Sequence, residues 1–140
     1  MDEQDETPVS MIMSTVDLIV ARPDEPLRVL WDRMRRARIQ HLPVLEGDVL
    51  IGIVSSWDIG RRVVEGGPDV LDASTAREVM ERALERLHPR DPIAEATEIL
   101  ADASFHSLPV VDEQERLVGI VTSSDLLRYH AGSDEDDDDE

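Results

Sequence analysis

The chain has 140 residues, 41% of them hydrophobic, which suffices for one ordinary domain or for two small units that share a core. It contains no cysteine, which excludes disulfides, thiol nucleophiles and thiolate metal sites. The 32 acidic residues outnumber the 14 basic ones, all arginine, and give a net charge of −18. Without the seven acidic residues at 134–140 the charge is still −11. Because such a surface repels phosphate backbones and anionic lipid, we expect neither a nucleic-acid nor a membrane partner.

The acidic composition has two interpretations. A dense acidic surface without lysine is typical of proteins from salt-loving microbes, because high salt screens the self-repulsion of such a surface. Alternatively, the charge serves solubility alone. The N-terminus, Met-Asp-Glu-Gln-Asp-Glu, lacks the basic start of a signal peptide. No apolar run approaches the roughly 18 residues of a membrane-spanning helix. We expect a halophilic, acidic and cytoplasmic protein.

The sequence repeats itself. At an offset of 66 residues the matches are Pro23, Pro26, Ala37, Leu42, Pro43 and Val44, which recur as Pro89, Pro92, Ala103, Leu108, Pro109 and Val110. After one extra residue the offset is 67, and Gly-Ile-Val-Ser-Ser-Trp-Asp at 52–58 returns as Gly-Ile-Val-Thr-Ser-Ser-Asp at 119–125. A copy of about 55 to 60 residues is too short to be comfortable alone, so we expect the two copies to pair.

Each copy predicts the order strand, helix, strand, strand, helix. Apolar stretches at 18–21 and 84–88 lead into Pro-x-x-Pro turns. Helical spacing places apolar residues at 27, 30, 31 and 34, and again at 93, 96, 99, 100 and 103. Hairpin patterns join 44–45 to 49–54 and 110–111 to 117–121. A final helix begins near Ser56 and near Ser123.

The composition also suggests where the copies begin and end. We predict a first repeat at 9–67, a linker at 68–75 that contains Gly-Gly-Pro near its start, and a second repeat at 76–131. The acidic termini at 1–8 and 132–140 are predicted to be disordered.

The motif Ser/Thr-x-x-Asp ends one strand of each copy and begins the helix that follows. A helix N-terminus offers unpaired N–H groups and a positive pole, which suit a phosphate. A carboxylate in the first turn has two acceptor oxygens, which suit the adjacent 2′- and 3′-hydroxyls of a ribose. An arginine one turn further on can reach a phosphate or a carboxylate. The candidate binding residues are Ser55, Asp58 and Arg61 in the first copy and Thr122, Asp125 and Arg128 in the second.

The same motif has a purely structural interpretation. Ser/Thr-x-x-Asp is close to a capping box, a local device that starts helices. If Asp58 or Asp125 only caps, its alanine variant loses roughly 1 kcal/mol of stability and no ligand affinity. The sequence leaves both roles open.

Pro-Val, a hairpin and Gly-Ile-Val-Ser/Thr-x-x-Asp, doubled over about residues 9–130, resemble the CBS domain pair, a family named after cystathionine β-synthase. The resemblance implies an α+β fold of tandem β-α-β-β-α repeats, packed as one pseudo-two-fold module with a three-stranded sheet in each repeat. It implies two clefts between the repeats that bind AMP, ADP, ATP or S-adenosylmethionine. The resemblance also implies a homodimer. The acidic composition of the chain, separately, points to a halophilic archaeon as its source.

The resemblance assigns roles to individual residues. Asp58 and Asp125 correspond to the aspartate that grips the ribose, and Ser55 and Thr122 to the residue that touches ribose or phosphate. The segments Ile39-Gln40-His41-Leu42 and Phe105-His106-Ser107-Leu108 match the strand whose backbone reads the adenine edge. The segments Thr15-Val16 and Arg82-Ala83 match the other wall.

Other residues carry weaker signals. Trp57 fits stacking on a base, but we expect core or interface packing. Gly52 and Gly119 fit either a close backbone approach or a strand bend. The histidines at 41, 88, 106 and 130 lack metal-ligand spacing, so we expect no metal site. The arginines at 33, 35, 36 and 38 fit a solvated or dimer-facing helix surface.

Three functions compete. The first is a regulatory, energy-sensing module whose ligand bridges the repeats and alters binding to an effector protein in trans. The second is a ligand-free dimeric scaffold, which predicts no thermal shift with adenosine ligands in molar KCl. The third is an enzyme, which we do not expect because no nucleophilic or acid–base motif is present. We expect AMP first, then ATP or S-adenosylmethionine, at low-micromolar to millimolar affinity.

Overall fold

The computed structural model describes residues 6–82, 85–102 and 107–138. Within these residues the helices are α1 (Leu27–Ala37), α2 (Ser56–Gly66), α3 (Val70–Ala73), α4 (Ala76–Val79), α5 (Ile93–Leu100) and α6 (Ser123–Asp138). The strands are β1 (His41–Glu46), β2 (Val49–Ser55), β3 (Ser107–Val111) and β4 (Leu117–Thr122), and a short 3-10 turn covers Val9–Met11. Contacts divide the chain into two compact units, Ile19–Leu84, called the β1–β2 unit, and Met1–Leu18 with Glu85–Glu140, called the β3–β4 unit.

The β1–β2 unit is organised around an antiparallel hairpin, as its alternating apolar pattern predicts. Gly47 turns the chain with a φ of 65°, a conformation that suits glycine. The pairing shifts register between Val44 and Leu45, and beside this irregularity Ala21 forms a parallel bridge to Val44. The third strand predicted at 18–21 is therefore reduced to one bridging residue, although its hydrogen bonds do extend the hairpin.

Helix α1 covers the hairpin with its apolar face. Pro26 directly precedes the helix, where its missing N–H is not needed. Leu27, Leu30 and Met34 are buried, as their spacing predicts, and they pack into one core with strand residues and helix α2. The helix ends at Ala37, and the capping residue that follows, Arg38, adopts a left-handed conformation with a φ of 60°.

The β3–β4 unit repeats this arrangement. Its strands pair antiparallel with a register shift between Val110 and Val111, and Leu87 forms the parallel bridge to Val110. Helix α5 contributes Ile93 and Ala96 to a second core. The apolar position predicted at 103 lies outside the described residues. The mixed α+β architecture with one hairpin and flanking helices per repeat agrees with the predicted fold class.

The boundaries of the compact units differ from those of the sequence repeats, because the first residues of each repeat belong to the unit of the other repeat. Ser14 exchanges two backbone hydrogen bonds with Ile120 of β4, at 2.9 and 3.0 Å. Glu81 makes the equivalent pair with Ile53 of β2, at 2.9 and 2.8 Å. The start of each repeat, as the sequence delimits it, therefore pairs with the hairpin of the other repeat. The predicted linker at 68–75 contains helix α3 and the Thr75 cap of α4.

Residues 6–8 and 132–138 are the described parts of the two termini for which composition predicts disorder, and that disorder stays a prediction. The hydroxyls of Thr7 and Tyr129 are 3.2 Å apart, and the backbone N–H of Ile93 donates to the carbonyl of Thr7 at 2.7 Å. Helix α6 continues to Asp138. Residues 1–5 and 139–140 lie outside the described part. No helix among the described residues is long and apolar enough to cross a membrane.

Candidate functional site

The Ser/Thr-x-x-Asp motif of the first copy forms a complete capping box. Oδ2 of Asp58 accepts hydrogen bonds from the backbone N–H and from the hydroxyl of Ser55, both at 2.9 Å. In return the Ser55 hydroxyl accepts from the backbone N–H of Asp58 at 3.1 Å. Nη2 of Arg61 lies 3.7 Å from Oδ1 of Asp58. The structural role that the sequence left open is therefore present in this half of the chain.

The second copy has the same capping box, and its arginine lies closer to the aspartate than in the first copy. Oδ2 of Asp125 accepts from the backbone N–H of Thr122 at 2.8 Å, and the Thr122 hydroxyl accepts from the N–H of Asp125 at 3.2 Å. Nη2 of Arg128 donates to Oδ1 of Asp125 at 2.7 Å. Arg128 thus binds the carboxylate of its own motif; a phosphate and a carboxylate were the two partners that its position suggested.

Capping leaves acceptor capacity on both aspartates. An ionised carboxylate has about four acceptor positions, two on each oxygen. On Asp58 the two hydrogen bonds from Ser55 fall on Oδ2, while Oδ1 makes the long contact with Arg61. On Asp125 each oxygen has one of these partners. Both side chains are only 6% exposed. A cap and a hydroxyl ligand can therefore share one carboxylate in each copy.

The first strand of each hairpin, β1 or β3, places further candidate ligand-binding residues beside the cap. His41 pairs with Ser55 across the first hairpin, and Ser107 pairs with Thr122 across the second. Gln40, just before β1, accepts a hydrogen bond from the Ser56 hydroxyl at 2.8 Å. The described residues of the segment predicted to read the adenine edge are therefore adjacent to the cap in each unit.

Leu42 and Leu108 follow these candidates along β1 and β3. Their side chains are 0% and 1% exposed and belong to the two cores. Only the backbone of these two residues is left for a ligand, which is the role that the resemblance gives to this strand.

The segments predicted to form the other wall of each site, Thr15-Val16 and Arg82-Ala83, each follow a residue that pairs with the hairpin of the other repeat. This pairing determines which cap each segment accompanies. Thr15 and Val16 are exposed and follow Ser14, which is bonded to β4, so they belong to the unit of Asp125. Arg82 follows Glu81, which is bonded to β2, so it belongs to the unit of Asp58. The candidates Ala83, Phe105 and His106 lie outside the described residues.

Two glycines allow these exchanged segments to approach. A Cβ on Gly52 would lie 2.6 Å from Sδ of Met80, and one on Gly119 would lie 2.5 Å from Sδ of Met13. Each would also lie about 3 Å from a backbone carbonyl oxygen, of Glu81 (3.0 Å) and Ser14 (3.1 Å) respectively. The sequence left a close backbone approach and a strand bend open for these glycines, and the structure shows the close approach.

The structure corrects one interpretation and adds a feature that the sequence analysis missed. Trp57 is 70% exposed, so it does not fill the core. Trp31, grouped with the apolar face of α1, is 41% exposed. Both indoles line an apolar groove between α1 and α2. The available signal was the position of Trp31 at the margin of the apolar face, next to the buried Leu30.

The shifted pKa values belong to structural ion pairs outside the caps. Side-chain hydrogen bonds from Arg33 lower the pKa of Glu25, and those from Arg28 lower the pKa of Asp72. The pKa of Asp112 is lowered mainly by the backbone N–H of Arg116. In the part of the chain that the structure describes, no three His, Cys, Asp or Glu side chains are grouped to hold a metal ion.

A family model described as the CBS domain matches residues 9–65 and 76–132. Among curated proteins, the chain is similar to a homoserine O-acetyltransferase of Methanohalobium evestigatum, with 33% identity over 75% of this chain and 20% of that protein. It is also similar to the uncharacterized protein MJ1225 of Methanocaldococcus jannaschii, with 31% identity over 94% of this chain and 50% of that protein. The chain therefore spans half or less of these archaeal relatives.

A similar solved structure is also a CBS domain pair. The crystal structure of the CBS domain pair of protein MJ0100, in complex with 5′-methylthioadenosine and S-adenosyl-L-methionine, is similar with a TM-score of 0.76 and 29% identity. The similarity covers 91% of this chain and 98% of that one.

Proposed function

Because the chain belongs to the CBS domain family, with both repeats matched, we propose that it is a regulatory module that binds an adenosine-containing ligand. In this proposal the ligand occupies clefts between the two repeats, and its binding changes the affinity for an effector protein in trans. Asp58 and Asp125 hold the ribose, and Ser55 and Thr122 contact ribose or phosphate.

One observation carries the proposal. Each unit presents a nearly buried aspartate at the N-terminus of a helix, and Oδ1 of this aspartate takes no part in the capping box. A carboxylate that only capped a surface helix would have no need of this burial, which favours a role in a closed, partly dry site. Its open acceptor positions match the paired hydroxyls of a ribose.

The proposed ligand class is supported by the similar solved structure, and the order of ligands within this class rests on the charges of the chain. The neighbour holds S-adenosyl-L-methionine and 5′-methylthioadenosine, two compounds that share the adenosine part. Arg61 and Arg128 suit a short phosphate such as that of AMP, whereas the net charge of −18 favours the cationic S-adenosylmethionine. We place AMP first, with ATP, ADP and S-adenosylmethionine next.

The proposal also includes assembly and location. We infer a homodimer and a non-catalytic role, because no part of the proposal requires a reacting group. Enzyme names among the relatives belong to proteins of which this chain spans a small part. The cytoplasmic location and the halophilic origin expected from composition stay predictions.

A ligand-free dimeric scaffold is the alternative function. The complete capping boxes favour it, because they show that both aspartates have a structural task without any ligand. The two functions differ in one measurable respect, which is the response of the protein to adenosine compounds.

Titration calorimetry in molar KCl tests the proposal. AMP, ADP, ATP, S-adenosylmethionine and 5′-methylthioadenosine are titrated into the wild type, Asp58→Asn and Asp125→Asn, with GMP as the base control. Asparagine retains one acceptor oxygen for the cap but carries an amide where the ribose needs a second acceptor. We expect each variant to lose at least about tenfold in affinity at its site.

The matched control is Asp48→Asn, which changes an exposed aspartate in the β1–β2 turn. It should bind as the wild type does. Equal affinity in all variants contradicts the ribose assignments, and the absence of heat and of thermal shift with every adenosine compound favours the scaffold.

A further inference from the structure

Every sulfur atom of the chain belongs to one of its five methionines, because the chain has no cysteine. Met11 is 72% exposed, and Met34 is 1% exposed in the core of the β1–β2 unit. Met13 and Met80, called the paired methionines, are partly exposed and lie at equivalent positions of the two repeats, 67 residues apart. Their sulfurs can therefore be reached by a small molecule from solvent.

The paired methionines fill the space beside the two hairpin glycines. Sδ of Met80 lies 2.6 Å from the position that a Cβ would take on Gly52, and Sδ of Met13 lies 2.5 Å from the equivalent position on Gly119. Each side chain also packs against the hydrophobic core of its own unit. Neither sulfur can therefore take an additional atom on its glycine side without moving away from the strand.

Each paired methionine directly precedes the residue that bridges to a hairpin. In the β3–β4 unit this residue is Ser14, which exchanges two backbone hydrogen bonds with Ile120 at 2.9 and 3.0 Å. In the β1–β2 unit it is Glu81, which is bonded in the same way to Ile53 at 2.9 and 2.8 Å. Among the described residues each of these pairs is an isolated bridge, outside the named strands. Its two hydrogen bonds therefore depend on the place of the neighbouring methionine.

The chain is held on the other side of each paired methionine. The backbone N–H of Met13 donates to the carbonyl of Val9 at 3.0 Å, and the N–H of Met80 donates to that of Ala76 at 2.9 Å. Val9 and Ala76 are both 0% exposed. Because these anchors are buried, a displaced methionine shifts the chain after it more easily than the chain before it. The chain after it consists of the bridge and the segments predicted to form the other wall of each site, called the wall segments.

We propose that Met13 and Met80 are oxidation sites whose sulfoxides release the wall segments from the hairpins. The oxidant is a peroxide. One peroxide oxygen is transferred to the thioether, so that an S–O bond forms as the O–O bond breaks, the sulfur gives up two electrons, and hydrogen peroxide is reduced to water. The apolar thioether becomes a polar sulfoxide. Packed against a glycine and a hydrophobic core, this dipole would lack a partner, so the side chain turns towards solvent and the bridge opens.

The release of the wall segments does not depend on a ligand, whereas its effect on binding rests on the proposed function. Thr15 and Val16 follow one bridge, and Arg82 follows the other. In the proposed function these residues line the adenosine sites. Oxidation is then expected to weaken adenosine binding in both units, because each loses one wall.

Hydrogen exchange on the full chain tests the release directly. The chain is treated with hydrogen peroxide in molar KCl, the sulfoxides are located by peptide mass spectrometry, and amide exchange is followed by NMR without ligand. We expect Met11 to be oxidised first, the paired methionines next, and the buried Met34 last. Once the paired methionines are oxidised, the four N–H groups of the two bridges should exchange at least about tenfold faster. Methionine sulfoxide reductases A and B, which between them reduce both epimers, should restore slow exchange.

Two variants separate the paired methionines from the exposed one. The Met13→Leu, Met80→Leu double variant keeps apolar side chains of similar volume but has no sulfur at these positions, so peroxide should leave its bridges closed. Met11→Leu is the matched control, and its bridges should open with peroxide as those of the wild type do. The reversal by the reductases is measured on the wild type, so the test stands even if the double variant does not fold.

Three results would overturn the inference. The first is sulfoxide at both paired methionines with unchanged exchange of the bridge N–H groups. The second is a double variant whose bridges open with peroxide as far as those of the wild type. The third is a folded chain in which the paired methionines stay reduced for as long as Met34 does. None of these results bears on adenosine binding by the reduced protein, which is measured separately with the Asp58→Asn and Asp125→Asn variants.

Discussion

Oδ1 of Asp125 accepts a hydrogen bond from Nη2 of Arg128 at 2.7 Å, while Oδ2 of the same carboxylate closes the capping box. The equivalent arginine of the first copy, Arg61, stays 3.7 Å from Asp58. One carboxylate thus starts a helix and binds a cation, and its remaining acceptor positions are those available to a ligand. The structural and the functional roles of the motif are therefore separable by substitution.

The caps should contribute measurably to stability. Asp125→Ala removes the acceptor of the Thr122 N–H and is expected to lower the free energy of unfolding by about 1–2 kcal/mol. Asp125→Asn keeps one acceptor and should lose less than half of that amount. Denaturant unfolding in KCl measures both, with exposed Asp48→Ala expected within about 0.5 kcal/mol of the wild type. A neutral Asp125→Ala would contradict the capping role.

Glycine at 119 should be required for the exchanged segment. In Gly119→Ala the new methyl group meets Sδ of Met13 and the carbonyl of Ser14, so the segment must move. We expect a loss of about 1–3 kcal/mol in the free energy of unfolding. Gly60→Ala is the control, because nothing lies within 4 Å of its Cβ in the interior of α2, and it should gain about 0.5–1 kcal/mol. Equal effects of the two substitutions would contradict this account.

The Glu25–Arg33 pair should make part of the stability depend on pH. Arg33 donates to both carboxylate oxygens of Glu25 at 2.8 and 2.7 Å, and these bonds lower the pKa of Glu25. The stabilisation is therefore complete above the usual pKa of about 4.3 and is lost as the pH falls through the lower, folded-state pKa. Glu25→Gln should lose stability at pH 7 and show a shallower decline below about pH 4.3, whereas Glu113→Gln, at an exposed position, should follow the wild-type curve. Parallel pH curves for Glu25→Gln and the wild type would show that the pair does not act in this way.

The end of α1 offers a stabilising substitution. Arg38 has a φ of 60°, which is unfavourable for a residue with a Cβ. Arg38→Gly should raise the free energy of unfolding by about 0.5–1 kcal/mol. Arg36→Gly, two residues earlier and still within the helix, should lower it by about 1 kcal/mol. If both glycines destabilise equally in thermal unfolding, the left-handed cap contributes no strain.

The sequence predicted features that depend on neighbouring residues. The hairpins and the helices that begin at Ser56 and Ser123 were predictable, because alternation, turn residues and caps are local signals. The strands predicted at 18–21 and 84–88 were overestimated. In the described residues each contributes one bridge, at Ala21 and at Leu87, since an apolar run alone does not show how many residues pair.

Features that depend on distant contacts could not be predicted in this way. The pairing of Ser14 with Ile120 joins residues about a hundred positions apart, and nothing in the local pattern specifies it. The Ser/Thr-x-x-Asp pattern could not decide between cap and ligand, because both use the same carboxylate. Trp57 was assigned to core or interface packing; its exposure excludes the core, and it depends on how α1, α2 and α3 leave a groove between them.

The most direct test of ribose recognition compares ligands that differ by a single hydroxyl. AMP and 5′-methylthioadenosine are titrated into the wild type in molar KCl beside their 2′-deoxy and 3′-deoxy counterparts. If the carboxylates of Asp58 and Asp125 hold the diol, each deoxy compound should bind at least about tenfold more weakly, and this penalty should disappear in the Asp58→Asn, Asp125→Asn double variant. Equal affinity of the parent and deoxy compounds for the wild type, or no binding of either parent, would contradict the account.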